Sequence, residues 1–246
     1  MTDLLLSLFP GIGLLDKGFE DEGFVVVRGP DLLWGGNIKK FHVPPGRFDG
    51  IIGGPPCQCF SRLTALVRYN GYKVAENLIP EFERVVSESQ PKWFLMENVK
   101  GSPAAEVDGY NVHAAMFDNR WIGGEQSRAH LFSFGRKDAR AHLDYGPECG
   151  TLENPDWSPR CLASGGGSSG CLGPRKHNKD RTRARHIGRK TKKVFEEYRR
   201  LQGLPDDWDI PGFTVQAKIQ CLGNAVPYPM ARALARTVKR ALKGGA

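Results

Sequence analysis

The apolar and polar positions along the chain predict strands and helices in turn. Leu4 to Phe9 is a short apolar run stopped by Pro10-Gly11-Ile12-Gly13, and Leu14 to Glu22 then has helical spacing as far as Gly23. Phe24 to Val27 is continuous and β-branched, the pattern of a strand buried in a parallel sheet. The order is therefore strand, glycine turn, helix, strand. Phe48 to Ile52 predicts a further strand that runs straight into Gly53-Gly54-Pro55-Pro56. Asn77 to Ser89 follows as an amphipathic helix, with Leu78, Phe82, Val85 and Val86 on its apolar face. Trp93 to Met96 predicts another buried strand ending at Glu97-Asn98, and Leu131 to Phe134 one more. This alternation predicts an α/β fold: a Rossmann-like, doubly wound and mostly parallel sheet that binds ligands at the C-terminal ends of its strands.

The pattern changes after Phe134-Gly135. From Arg136 to about Lys190 there is no clear periodicity, and Gly165 to Gly170 is a tract of glycine and serine. Helical spacing returns at Thr191 to Leu201, and a last helix, Tyr228 to Leu242, follows Gly223-Asn224-Ala225-Val226-Pro227. Three regions are expected: a core over residues 1–135, a small irregular insert over 136–190, and a return to the core over 191–246.

Composition narrows the partners. The net charge is +8, and ten of the 19 residues from Arg175 to Lys193 are Lys or Arg against the single acid Asp180. The basic charge thus lies in the insert, where it is either a solvated run or a surface for phosphates. That stretch has no aromatic residue on which single-stranded bases would stack. The apolar start of the chain lacks a basic leader and is broken by Pro10, Gly11 and Gly13, so a signal peptide or a membrane span is not expected. The six cysteines are then expected to be reduced thiols. Cys149, Cys161, Cys171 and His177 are separated by eleven, nine and five residues, which fits no compact zinc knuckle, and no metal is expected.

Two residues carry candidate chemistry. Cys57 sits on a loop stiffened by two glycines and two prolines after a buried strand, so it is either a small buried apolar group or a thiol presented to a substrate. Glu97 closes an apolar strand, where a carboxyl is either a cap or buried ion pair, or an acid that donates a proton at neutral pH. The turn Phe9 to Gly13 offers amides at a helix start, suited to an anionic group.

Taken in order, these segments resemble the cytosine C5 DNA methyltransferase family. Phe9-x-Gly11-x-Gly13 is similar to its first cofactor motif, Gly53 to Ser61 to its nucleophile motif, and Pro91 to Gly101 to its Glu-Asn-Val motif. Gln126-Ser127-Arg128-Ala129-His130 resembles its Gln-x-Arg-x-Arg motif, Glu197 to Pro205 the segment after its recognition domain, and Gly223 to Pro227 its last motif. The resemblance implies methyl transfer from S-adenosylmethionine to C5 of a flipped cytosine in double-stranded DNA, by a monomeric enzyme in the cytoplasm of a bacterial or phage-infected cell. It implies Cys57 as nucleophile, Glu97 as acid, and Arg128 as the group that holds the base oxygen or organises Glu97. For the cofactor it implies Phe9, Gly11, Ile12, Gly13, Asp31, Asn37, Ile38, Pro55, Pro56, Asn224 and Val226. For DNA it implies Gln58 and Ser61, with Arg175, Lys176, Arg181, Arg183 and Arg185 in the basic insert.

The chain also departs from the family pattern. Arg28-Gly29-Pro30-Asp31 stands where an acid usually ends the second strand, leaving Asp31 as the candidate partner of the ribose hydroxyls. Asn37 stands for an Asp, and would accept from the adenine amino group through its amide oxygen. His130 replaces the second Arg, and the spacing from the first turn to Cys57 is short by about one helix. Two other readings therefore stand beside the first: an RNA (tRNA) cytosine-5 methyltransferase, and a non-catalytic DNA-binding homologue.

Overall fold

A computed structural model describes residues 3–60, 69, 74, 76–137, 139–150, 160–161, 169–170 and 192–244. Its centre is a six-stranded sheet built from β1 (Leu4–Leu8), β2 (Val25–Arg28), β3 (Gly50–Gly53), β4 (Trp93–Val99), β5 (Tyr110–Asp118) and β6 (Ala129–Lys137). The order across the sheet is β2-β1-β3-β4-β6-β5. The first four strands are parallel, whereas β6 runs antiparallel to both β4 and β5. The expected Rossmann-like architecture is thus present, with one reversed strand. A short antiparallel pair, β7 (Arg160–Cys161) and β8 (Ser169–Gly170), lies in the insert.

Successive strand side chains point to opposite faces, so each central strand feeds two cores. Leu5, Ile52, Trp93 and Leu95 pack on one side with Phe19 of α1 (Leu14–Asp21) and with Met230 and Leu234 of α5 (Tyr228–Lys243). Leu6, Leu8, Ile51, Phe94 and Met96 pack on the other side with Phe82 and Val86 of α2 (Ile79–Ser89). A third cluster joins Leu14 to α3 (Lys192–Leu201) and α4 (Val215–Asn224) through Phe195, Tyr198, Ile219 and Leu222.

Several elements differ from the periodicity reading. β5 was not expected, because its exposed and half-buried positions give no continuous apolar run. β6 is more than twice the predicted length, and β4 continues through Glu97 to Val99 because β6 pairs along its whole length. α4 was also not predicted; Thr214 caps it by accepting from the Ala217 amide at 3.2 Å. Between β2 and β3 only two single 3₁₀ turns occur, Leu32–Trp34 and Ile38–Lys40, in keeping with the short spacing.

α1 and α5 cross at Gly18, where a Cβ would lie 2.4 Å from Ala231 Cβ and 2.6 Å from its carbonyl carbon. Gly18→Ala is therefore expected to destabilise the fold by about 1–3 kcal/mol through overpacking, read as a lower midpoint in thermal denaturation.

Candidate active site

The site forms where parallel strands end. β3 and β4 run side by side, with Gly53 opposite Met96, so the loop after β3 and the end of β4 emerge together. Asn98, buried at the end of β4, donates from Nδ2 to the Pro55 carbonyl at 3.2 Å and so ties the loop to the strand. Beyond this tie, Cys57 opens a 3₁₀ turn in which the Phe60 amide donates to its carbonyl. Gly54 explains the need for glycine here: a Cβ at this position would lie 2.8 Å from Glu97 Oε2. The thiol and the carboxyl predicted from separate motifs thus share one strand edge.

Register explains what holds Glu97. On β6, His130 lies opposite Val99, two residues along the same face of β4 from Glu97. This diagonal brings His130 Nδ1 onto Glu97 Oε1 in a buried ion-pair geometry. Arg128 lies two residues further along, past the edge of the pairing. Its Nη2 donates to the Gly223 carbonyl at 2.8 Å, and its amide donates to Asp118 Oδ1 at 3.2 Å. Gln126, fully buried, donates to the Leu201 carbonyl at 2.7 Å and to Gln202, and Gln202 in turn donates to the Leu222 and Ala225 carbonyls. The Gln-x-Arg-x-His segment therefore stitches the C-terminal region to the sheet.

Burial pushes the Cys57 thiol upward, the Glu97 charge raises it further, and the Arg128 charge works against both. In the free protein the thiol should consequently stay protonated where an exposed cysteine ionises. The rate of Cys57 alkylation by iodoacetamide is expected to keep rising beyond about pH 8.5, the range of an ordinary thiol, as followed by peptide mass spectrometry.

Beside this pair lies a cleft of about 280 Å³ lined by Phe9, Pro30, Asp31, Leu32, Gly36, Asn37, Ile38, Lys39, Pro56, Glu76 and Leu78. Five of the predicted cofactor residues, Phe9, Asp31, Asn37, Ile38 and Pro56, line it together. Phe9 is held there at φ 54, a left-handed conformation that costs an aromatic residue about 1–3 kcal/mol and that occurs at ligand sites. Of the two predicted prolines, Pro56 forms part of the wall and Pro55 does not; Gly11, Ile12, Gly13, Asn224 and Val226 are also not among the lining residues. The Gly11 amide donates to Asp31 Oδ2 at 2.9 Å, and Trp34 Nε1 donates to the Gly11 carbonyl at 2.7 Å. Asn37 Oδ1 accepts from the Lys39 amide at 3.0 Å, so the amide nitrogen is the group turned away from this local bond. Lys39 Nζ pairs with Glu76 at 2.6 Å beside the cleft, a contact with no signal in the sequence. An apolar cleft with an aromatic wall, a carboxylate and an amide has the chemistry to hold an adenosine group.

Gln58 is exposed on the loop that carries Cys57. Ser61, Arg175, Lys176, Arg181, Arg183 and Arg185 lie outside the described residues. No helix among the described residues is long and apolar enough to cross a membrane.

The sequence model of the C-5 cytosine-specific DNA methylase family matches residues 36–156 and 168–240. A type II methyltransferase of Neisseria gonorrhoeae, M.NgoPII, is 26% identical over 97% of this chain and 96% of its own length. A type II methyltransferase of Fusobacterium nucleatum, M.FnuDI, is 34% identical over 54% of this chain and 47% of its own. Among solved structures, a Spodoptera frugiperda DNMT2 mutant superposes with a TM-score of 0.61 at 15% identity, covering 97% of this chain and all of that one (100%). An Escherichia coli prophage protein described as a DNA modification methyltransferase gives 0.62 at 18%, covering 98% of this chain and 100% of that one. The family match contains the Cys57 loop, Glu97 and the segment from Gln126 to His130, the same groups that the sheet gathers at one edge. The chain belongs to the C-5 cytosine-specific DNA methylase family and is a DNA (cytosine-5-)-methyltransferase.

Proposed function

We propose that the chain methylates C5 of a cytosine flipped out of double-stranded DNA, with Cys57 as nucleophile, Glu97 as proton donor and S-adenosylmethionine as methyl source. The observation that carries this reading is the shared strand edge, where Glu97 Oε2 lies against Gly54 of the loop that bears Cys57. Cytosine C5 is a poor nucleophile, so it must first be activated. Cys57 first gives its proton to solvent and then adds as the thiolate to C6 while Glu97 gives a proton to N3, and the base becomes an enamine that is nucleophilic at C5. S-adenosylmethionine, when bound, supplies an electrophilic methyl group. After transfer, C5 loses its proton, the C6–S bond breaks, and Cys57 leaves as thiolate. Arg128 favours that thiolate electrostatically. A base within a duplex cannot reach a thiol on a strand-end loop, which is why flipping is required.

Phe9, Asp31, Asn37, Ile38 and Pro56 would hold the adenosine part of the cofactor in the cleft. The Gly11 to Gly13 turn, Pro55, Asn224 and Val226 would complete that site. Residues 1–135 and 191–246 would form the catalytic core, and 136–190 the target-recognition insert. Within the insert, Arg175, Lys176, Arg181, Arg183 and Arg185 would contact phosphates, with Gln58 and Ser61 near the flipped base. Such phosphate contacts predict affinity that falls steeply with salt. The working form is a monomer in the cytoplasm of a bacterial or phage-infected cell.

The test is expression in a host free of cytosine methylation, followed by bisulfite sequencing of its DNA. Cytosines protected in a fixed context with the native chain, and none with Cys57→Ala, are expected. No protection with the native chain, or equal protection with both, would overturn the reading.

A further inference from the structure

The carboxyl that donates the proton is held by an imidazole, where the family pattern has a guanidinium. His130 is 6% and Glu97 12% exposed in their side chains, so neither group depends on bulk water for its partner. The two carboxylate oxygens are divided: Oε1 is bound by His130 Nδ1, and Oε2 lies on the Gly54 side, toward the nucleophile loop. His130 is itself fixed, by pairing with Val99 and Phe117 across β6 and by stacking on Phe132 at 6.3 Å between ring centroids.

A guanidinium keeps its charge at every working pH, whereas an imidazole exchanges a proton within that range. We propose that His130 is a positioning residue whose Nδ1–H donates to Oε1 of Glu97 and so keeps the carboxyl proton on Oε2, on the side of the Cys57 loop, until the base takes it. This inference rests on Glu97 as the donor to N3. In the step itself the Oε2–H bond breaks and the N3–H bond forms as sulfur adds to C6. The carboxylate left behind accepts from His130 Nδ1–H, and the proton returns from N3 when the C6–S bond breaks. The pair therefore acts as a unit in which the imidazole sets where the carboxyl proton sits. Other charges face it from neighbouring elements. Cys57, on the loop after β3, is coupled to Glu97 and to Arg128. Arg128, just before β6, is bonded through its amide to Asp118 at the end of β5.

The experiment has two readouts. In the free protein, the His130 imidazole resonance is identified by its loss in His130→Asn and followed by NMR against pH in the native chain and in Glu97→Gln. Removing the carboxylate is expected to lower the midpoint by about one pH unit or more. An unchanged midpoint overturns the proposal, whatever the enzyme's activity. The second readout is the pH profile of single-turnover methyl transfer to duplex DNA by the native chain, His130→Arg and His130→Asn. In His130→Arg the alkaline limb is expected to move to lower pH by about one unit, because a fixed cation favours loss of the carboxyl proton. His130→Asn, a neutral donor of similar reach, should lower the rate without moving the limb in that direction. If both variants lower the rate by a constant factor at every pH, His130 is only structural and the proposal fails. If the native chain transfers no methyl group although the imidazole midpoint shifts, it is the catalytic reading that fails.

Discussion

Replacing Cys57 with alanine is expected to lower methyl transfer by at least about 10⁴-fold, because the bond to C6 that makes C5 nucleophilic is lost with the thiol. Cys59 is two residues away on the same loop, but the tie between Asn98 and the Pro55 carbonyl sets the loop so that Gly54 packs against Glu97 just ahead of Cys57. The thiol is half-buried at the loop surface, so its removal should leave the thermal midpoint unchanged. Covalent trapping separates chemistry from binding. With duplex DNA that carries fluorine in place of the C5 hydrogen, the native chain should form an adduct that survives denaturing electrophoresis, because fluorine cannot leave as a proton does. Cys57→Ala should bind that DNA and form no adduct. An adduct with Cys57→Ala, or none with the native chain, would assign the nucleophile elsewhere.

Glu97→Gln is expected to have the next largest effect, about a 10²- to 10⁴-fold loss in the single-turnover rate. Glutamine keeps the size of the side chain and can still donate a hydrogen bond to N3, but it cannot give up a proton to it. The loss should therefore appear in the rate of the chemical step and not in DNA affinity. A variant that transfers methyl groups at the native rate would show that N3 takes its proton from elsewhere. The buried setting matters here, since a carboxyl amid Gly54, His130 and the strand ends has few routes to exchange its proton with solvent.

Much of this site was legible in the chain alone. Leu4 to Phe9 and Phe48 to Ile52 are mostly apolar, broken only by Ser7 and Asp49, and Trp93 to Met96 is wholly so, because strands buried on both faces leave few positions for polar side chains. The glycines and prolines around Cys57 marked a rigid loop, and Glu97 stood out as an acid at the end of such a run. Those signals are local, and local sequence records them. β5 escaped because at the sheet edge it buries little on either face, and α4 because Val215, Ala217, Ile219 and Cys221 alternate with polar residues and do not follow helical spacing.

The sequence by itself determined the order of the elements, the parallel core, and the candidate thiol and acid. Only the tertiary structure decided how the motifs meet. β6 runs against its neighbours, and that reversal, with its register, carries His130 to Glu97 and sends Arg128 toward the Gly223 carbonyl. The cleft likewise draws on Phe9, Asn37, Pro56 and Glu76, four positions far apart in the chain. Strand direction and register are set by long-range pairing and shared burial, which no short window of sequence contains.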